Sequence, residues 1–360
     1  MSITIFLLSL GLILLPFSHW EVQKVWMYLK FIEIFFIFSL VYLIKKRIFI
    51  ESKNSKIFIV LFLFLTISVL SSLLGLDVSK SIFGNLYRSD GLITFFHLVA
   101  FSILIGAVYK DKWNTLIAVS IFLGGVISSI FDYFGQPNFL AGFILVSLSF
   151  GIYIFYKTNN KYVKTLIILG FIVQIYRMFL VGSYVGILGL VILYPLWKLT
   201  NKRKINKILI LVIVGILSVF VSIWLNNLKS KKEYVAESRV RIYRNVFLGS
   251  LKRPVLGYGW ANSDYAFESI VWPLKFNNDV YVDKVHMLFL EIFATTGILG
   301  LIAYLYFLFS LFKRLINKNN LWTRVLLTSF LMYLIYSQTN VTSISYEFIF
   351  WLIVGIILSL

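Results

Sequence analysis

The sequence contains no cysteine among its 360 residues, so no disulfide can cross-link the chain and no thiolate can act as a nucleophile or metal ligand. Charged residues are scarce as well, at 14% of the chain, whereas a soluble domain carries about 25%. Hydrophobic residues make up 60%, aromatic residues 18%, and the mean hydropathy is +0.89. This composition excludes an ordinary soluble domain.

Motifs of several enzyme classes are also missing. The sequence has no HExxH zinc motif, no Walker phosphate loop and no GxSxG nucleophile elbow. It has no Asp-x-Asp pair that could hold a divalent ion on a nucleotide-sugar. We therefore expect either a reaction that needs no metal and no cofactor, or no reaction.

What the chain does contain is a series of long apolar runs, which predict an all-α polytopic membrane protein with about 12 transmembrane helices in a single domain, 1–360. The first run has no basic n-region and no small-x-small cleavage site, so we expect a retained helix and not a signal peptide. The predicted spans are residues 2–18, 26–44, 57–74, 91–109, 113–131, 138–156, 163–180, 183–198, 207–226, 286–312, 322–338 and 344–360.

The net charge of +19 is distributed unevenly between the two sides of these spans. The loops that follow even-numbered spans hold 19 basic residues against two acids, Glu51 and Asp111, whereas charges elsewhere nearly balance. The positive-inside rule then places both termini in the cytoplasm of a multi-pass cell-membrane protein. The excess charge is explained by topology, so it does not indicate a nucleic-acid partner.

One long segment, residues 229–286, is too polar to cross a membrane, and it predicts an extracytoplasmic loop at 227–285 between spans nine and ten. Within it, residues 237–252 predict a helix that stops before Pro254. A helical wheel puts Ile242, Tyr243, Val246, Phe247, Val240 and Leu251 on an apolar face, and Arg241, Arg244, Lys252 and Asn245 on a wet face.

Arg239 projects from the middle of that apolar face, where a guanidinium needs a carboxylate, a phosphate or carbonyl groups. The pattern leaves open a buried ion pair, a snorkelling helix-end arginine and a phosphate-binding arginine. Gly257 and Gly259 allow a tight turn or a close backbone approach. His286 lies at the membrane face, where a lone histidine at a helix start is more often structural than catalytic, and Glu291 lies deeper, where carboxylates tend to be paired or functional.

These residues resemble the O-antigen ligase and polymerase superfamily. Its members carry an arginine and an aromatic residue spaced like Arg239 and Tyr243, a P-x-x-G-x-G turn like 254–259, and a His-Asn before a Leu-rich helix with a glutamate and two glycines. FGNLYRSDGLIT and GQPNFLAGFILVS resemble earlier outer turns of the family, so the similar region covers about residues 75–310. Two departures are Tyr184 where the family has arginine after serine, and Met287 where it has asparagine.

The resemblance implies a lipid-embedded, GT-C-like glycosyltransferase without metal or cofactor that inverts the anomeric carbon. Its donor would be a polyprenyl-pyrophosphate-linked oligosaccharide on the outer face of the cytoplasmic membrane. Arg239, Arg88 and Arg177 would bind the pyrophosphate, His286 and Glu291 would be catalytic, and Gly257 and Gly259 would form the loop turn. Further expected partners are the bilayer and other polysaccharide-assembly proteins. The alternatives are a flippase or transporter of lipid-linked glycan, and a non-catalytic relative.

Overall fold

The computed structural model describes residues 3–17, 21–46, 55–86, 88–131, 136–201, 239–271, 282–318 and 320–360. All regular elements in these residues are helices. Short 3₁₀ turns at Leu15–Phe17 and Asp111–Trp113 complete the elements. The α-helices are α1 Ile3–Leu14, α2 Glu21–Lys46, α3 Ser55–Leu73, α4 Val78–Phe83, α5 Leu92–Val108, α6 Asn114–Phe131, α7 Pro137–Lys157, α8 Lys161–Leu180, α9 Tyr184–Asn201, α10 Arg239–Ser250, α11 Ser263–Val271, α12 Leu288–Ile316, α13 Leu321–Ser337 and α14 Ile344–Ser359.

The helix boundaries follow local capping chemistry. Asn160 accepts hydrogen bonds from the first backbone amides of α8, and Ser343 accepts one from Tyr346 at the start of α14. Asn320 and Thr323 form a reciprocal capping box at the start of α13. Polar residues between apolar runs therefore mark where the long helices begin.

Two helices form the centre of the bundle. In α7, 83% of the most apolar window is buried, and it packs against α6, α8, α9 and α13. Almost every residue of α14 is buried, and α14 packs chiefly against α5. By contrast, only 22% of the corresponding window of α8 is buried, so α8 lies at the periphery. The apolar outer faces of such helices are suited to lipid contact.

The predicted spans agree with these helices to within a few residues, except for the ninth span, 207–226, which lies outside the described residues. Six of the described helices are long and apolar enough to cross a membrane. Helices α1, α5, α13 and α14 and the apolar part of α9 are shorter. A polytopic helical membrane protein is thus supported, whereas the count of twelve spans and the orientation of the termini remain predictions.

The predicted helix in the polar segment is confirmed as α10, which ends before Pro254 as expected. Its buried face differs from the predicted one, because Ile242 and Val246 are buried but Asn245 is buried with them. Three residues that the wheel placed inside are about half exposed: Val240 at 42%, Phe247 at 49% and Leu251 at 50%. The reason is the contact with α11, which approaches the backbone at Gly249 and so turns that side of α10 inward.

Candidate functional site

A cavity of about 180 Å³ opens between the loop before α5, the segment before α12 and the helices behind them. At one end it is lined by polar side chains from these connections, and deeper inside by aromatic side chains of α3, α5, α12, α13 and α14. The sequence-predicted residues Arg88, His286 and Glu291 all line it. Residues more than 190 positions apart in the chain are thereby brought to one site.

Charged residues at the polar end form a connected cluster. The Nε atom of Arg88 donates to Oδ2 of Asp283 at 2.7 Å. The Nζ atom of Lys284 lies 2.5 Å from Oδ2 of Asp90 and 3.1 Å from Oε1 of Glu291. These ion pairs tie the loop before α5 to the segment before α12.

The same contacts determine the protonation of the cluster. Burial by itself would raise the pKa of Asp90, but the Lys284 ammonium group and the backbone amide of Asn85 hold that pKa below its usual value. Burial by itself would lower the pKa of Lys284, but the Asp90 and Glu291 carboxylates raise it. Asp90 and Lys284 are therefore both charged at neutral pH and form an ion pair.

Glu291 is the anchor of the segment that carries His286. Its Oε1 atom accepts a hydrogen bond from the Ser263 hydroxyl at 2.8 Å, besides the contact with Lys284. Its Oε2 atom accepts from the backbone amide of Val285 at 2.9 Å. All these partners are protein groups, so in this structure Glu291 positions its neighbours and holds α11 against the start of α12.

His286 occupies a constrained position at the cavity wall. Its φ of 60° lies in the left-handed region, which a residue with a side chain adopts at some cost. The hydroxyl of Tyr243 donates to its carbonyl oxygen at 3.3 Å. Burial, and then the positive charges of Arg239 and Arg88, lower the pKa of His286 to about 3, although Asp283 acts in the opposite direction. The imidazole is therefore neutral at neutral pH, and its basicity is weakened by these two cations.

Met287, the residue after His286, departs from the family pattern, and this departure changes how the start of α12 is capped. Met287 is the N-cap of α12 and makes no side-chain cap hydrogen bond, whereas asparagine is among the preferred N-cap residues. Here the backbone amide of Phe289 donates instead to Oε1 of Gln338, at 3.2 Å, from the end of α13. A side chain from another helix thus caps α12 in place of the missing asparagine.

Arg239 is the first residue of α10 and is held by neutral groups. Its guanidinium donates to the carbonyl oxygen of Thr339, and its Nη2 atom lies 3.5 Å from Oδ1 of Asn340. Among the residues that the structure describes, no carboxylate lies within ion-pair distance of Arg239. Of the protein partners left open by the sequence, Arg239 contacts carbonyl and amide oxygens and no carboxylate within the described residues. Because Asn340 also lines the cavity, Arg239 lies at its edge.

Two further turns, at Asn138 and Ser183, meet behind Arg239. The Ser183 hydroxyl donates to Oδ1 of Asn138 at 2.9 Å, and the Tyr336 hydroxyl donates to the Asn138 carbonyl. Tyr336 lies one helical turn before Thr339, which holds Arg239. The turn where the family carries its Ser-Arg pair is therefore adjacent to Arg239, although the side chain of Tyr184 itself lies outside the described residues.

Arg177 is placed differently from the other two predicted arginines. It lies in the last turn of α8, a helix that packs against α6, α7 and α9. It is not among the residues that line the cavity in the described part of the chain. The structure thus brings Arg88 and Arg239 to His286 but leaves Arg177 on a peripheral helix.

The turn 254–259 docks into a break in α12. Gly297 within α12 has a non-helical φ of 67°, which releases the carbonyl groups of the preceding turn. The amides of Tyr258 and Gly259 donate to the Ala294 and Thr295 carbonyls, each at 2.9 Å. Gly257 and Gly259 have φ of 69° and 101°.

A Cβ atom at Gly257 would lie 2.6 Å from the Ala294 carbonyl oxygen. Close backbone contact with α12 therefore explains Gly257, and the positive φ of Gly259 explains the second glycine, because residues with a side chain rarely adopt that conformation.

Glu347 is a cavity residue that the sequence patterns above did not single out. It is the only charged residue of the last predicted span, and that signal could have singled it out. Its carboxyl group lines the inner part of the cavity and accepts a hydrogen bond from the Tyr333 hydroxyl at 2.6 Å.

Comparison with known protein families connects the sequence with this site. Residues 167–305 match the family model described as O-antigen ligase. The matched residues run from α8 into α12 and include Arg239, the turn 254–259, His286 and Glu291, and they lie within the predicted region 75–310. No curated protein matches the chain.

Proposed function

We propose that this integral membrane protein transfers or polymerises a polyprenyl-pyrophosphate-linked oligosaccharide, because residues 167–305 match the family model described as O-antigen ligase. The reaction takes place on the outer face of the cytoplasmic membrane, which the charge distribution of the loops favours. The observation that carries the proposal is the meeting of Arg88 and Arg239 at the neutral imidazole of His286, beside one cavity.

The chemistry requires positive charge at the leaving group and a base at the acceptor. The acceptor hydroxyl oxygen forms a bond to the anomeric carbon, and its proton passes to His286. The bond from that carbon to the pyrophosphate oxygen breaks, and polyprenyl pyrophosphate leaves with the electron pair. Arg239 and Arg88 stabilise the charge that develops on this oxygen. Attack from the face opposite the pyrophosphate inverts the anomeric carbon, and no metal is required.

Donor binding and base strength are coupled in this arrangement. The two arginines lower the pKa of His286 while the site is empty. A bound pyrophosphate brings negative charge to them and so offsets their effect on the imidazole. His286 therefore becomes a stronger base when the donor is present, which favours transfer over unproductive proton uptake.

The proposal is tested by replacing His286 and Arg239 singly by alanine and following lipid-linked glycan and finished polymer in cells. Arg244→Ala is the matched control, since Arg244 is an exposed residue of the same helix. We expect lipid-linked glycan to accumulate and polymer to disappear in both site variants but not in the control. Normal polymer from both site variants, at normal protein level, would contradict the proposed enzyme.

A further inference from the structure

The inner part of the cavity has a chemistry different from that of its charged outer part. It is lined by Tyr304 from α12, Tyr333 from α13, and Glu347 and Trp351 from α14. Trp260 lines the cavity towards the outer part and is partly exposed. The reaction described above uses none of these residues.

Burial of the Glu347 carboxyl group at this position costs free energy. Its side chain lies in the first turn of a helix that is otherwise apolar, and Tyr333 donates to its Oε1 atom at 2.6 Å. Among the described residues, no cation lies within ion-pair distance of this carboxyl group. A glutamine could accept the same hydrogen bond without the cost of a carboxyl group in the membrane, so holding Tyr333 does not account for an acid here.

The aromatic residues give this region a second property. Trp260 is fixed by stacking on Phe95, with ring centroids 4.4 Å apart, and its indole nitrogen donates to the Asp90 carbonyl at 3.0 Å. It is thereby held between the ionic cluster and the interior of the cavity. Flat aromatic surfaces beside a carboxyl group suit a sugar ring, whose C–H faces pack on aromatic rings while its hydroxyl groups donate hydrogen bonds. The isoprenoid chain of the lipid-linked glycan also packs on aromatic rings, but it has no hydroxyl group that could donate a hydrogen bond to the carboxyl group.

We propose that the inner part of the cavity binds the donor sugar next to the pyrophosphate, with Glu347 accepting hydrogen bonds from its hydroxyl groups and Trp260 packing against its ring. This inference rests on the proposed function, because the sugar is placed by the pyrophosphate at Arg88 and Arg239. It adds a sugar-recognition site formed by residues that lie, except for Trp260 and Tyr304, outside the region matched to the family.

The test compares two probes on the purified full-length protein in lipid nanodiscs. One probe is undecaprenyl pyrophosphate without sugar, and the other is the undecaprenyl-pyrophosphate-linked oligosaccharide purified from the producing cells. Glu347→Gln keeps the size of the side chain and the Tyr333 hydrogen bond. Glu33→Gln is the control, because the Glu33 carboxyl group lies on α2, is 61% exposed and does not line the cavity.

We expect Glu347→Gln to weaken binding of the glycan-linked probe by about threefold to tenfold, the range for one ordinary hydrogen bond, and to leave binding of the sugar-free probe unchanged. Glu33→Gln binds both probes like the wild type. Tyr333→Phe is a second variant, since it keeps the ring that stacks on Phe350 but leaves Glu347 without its tyrosine donor. We expect it to weaken only the glycan-linked probe.

The outcomes separate the two proposals. Equal binding of the glycan-linked probe by wild type, Glu347→Gln and Tyr333→Phe would overturn the sugar site and leave the proposed function standing. An equal loss for both probes would also overturn it, because the carboxyl group would then support the fold or the pyrophosphate site. Failure of the wild type to bind either probe would overturn the proposed function itself.

Discussion

The two arginines beside His286 are held in opposite ways. On one side of the cavity, Arg88 is paired with Asp283 at 2.7 Å, and the neighbouring Lys284 is paired with Asp90 and Glu291. On the other side, Arg239 donates, within the described residues, only to the carbonyl and amide oxygens of Thr339 and Asn340. The Arg88 side is ionic and internally neutralised, whereas the charge of Arg239 is held by neutral dipoles.

This difference gives the two arginines different parts in binding an anion. A pyrophosphate that approaches Arg88 has to compete with a carboxylate, and that exchange cancels much of the electrostatic gain. At Arg239 it competes with neutral oxygens, which bind a guanidinium less strongly than an anion does. We therefore expect Arg239 to contribute most of the attraction for the donor.

The largest expected effect separates the two sides directly. Arg239→Ala should lower kcat/KM for the lipid-linked donor by about a hundredfold or more, the cost of removing one group that stabilises developing charge. The double variant Arg88→Ala/Asp283→Asn removes the other arginine together with its counter-ion and should lose less. The measurement is transfer by purified protein at varied donor concentration. An equal or greater loss of kcat/KM in the double variant would contradict the larger contribution of Arg239.

A second test loosens the ionic side without touching either arginine. Glu291→Gln weakens the attachment of Lys284, Val285 and Ser263 to the start of α12, and it should cost about 1–3 kcal/mol of stability, as expected for weakened partners of buried donors. Thermal unfolding in detergent measures the change, with Glu33→Gln as control. An unchanged unfolding temperature would mean that this side does not depend on Glu291.

The pKa of His286 reports each side separately. Cations beside an imidazole penalise its charged form, so Arg239→Gln should raise the pKa of His286 from its value of about 3. The negative charge of Asp283 stabilises the protonated imidazole, so Asp283→Asn should lower the pKa of His286 further. Nitrogen-15 NMR titration of the imidazole, in a background where His19 and His97 are replaced by glutamine, measures both shifts. Shifts of the same sign would contradict the assignment.

The smallest effect is expected at the third predicted arginine. Arg177 lies on peripheral α8 and does not line the cavity, so Arg177→Ala should leave donor binding and polymer formation close to wild type. The assay is the one used for Arg239→Ala, with both variants measured side by side. A loss of activity as large as that of Arg239→Ala would show that Arg177 contacts the pyrophosphate. Arg177 would then take the role of the arginine that the family carries where this chain has Tyr184.

Local patterns were sufficient for much of this site. Apolar runs predicted the helices, Pro254 predicted the end of α10, and the exceptional position of Arg239 on its helix predicted that it needs oxygen partners. The wheel was wrong about Asn245, because the close approach of α11 at Gly249 outweighs the hydrophobicity of individual side chains. Local hydrophobicity ranks faces of an isolated helix, but a neighbouring helix decides which face is covered.

Met287 is a second case in which local sequence does not reveal a contact made by a distant element. The sequence indicates a missing cap, and the structure supplies one from Gln338, a residue 51 positions later that no local pattern connects with it. Glu347 was missed although it is an isolated acid in an apolar run, because its meaning depends on the cavity that it faces.

The sequence by itself determined that the chain is helical and suited to a membrane, where the polar segment lies, and which family its motifs resemble, since each depends on composition and on short-range spacing. Only the tertiary structure decided which charges meet. Ion pairs such as Arg88–Asp283 and Lys284–Asp90, and the shared cavity of His286 and Glu347, depend on how α5, α12, α13 and α14 pack. Charge interactions act through space at a few ångströms, and distance along the chain does not reveal that proximity.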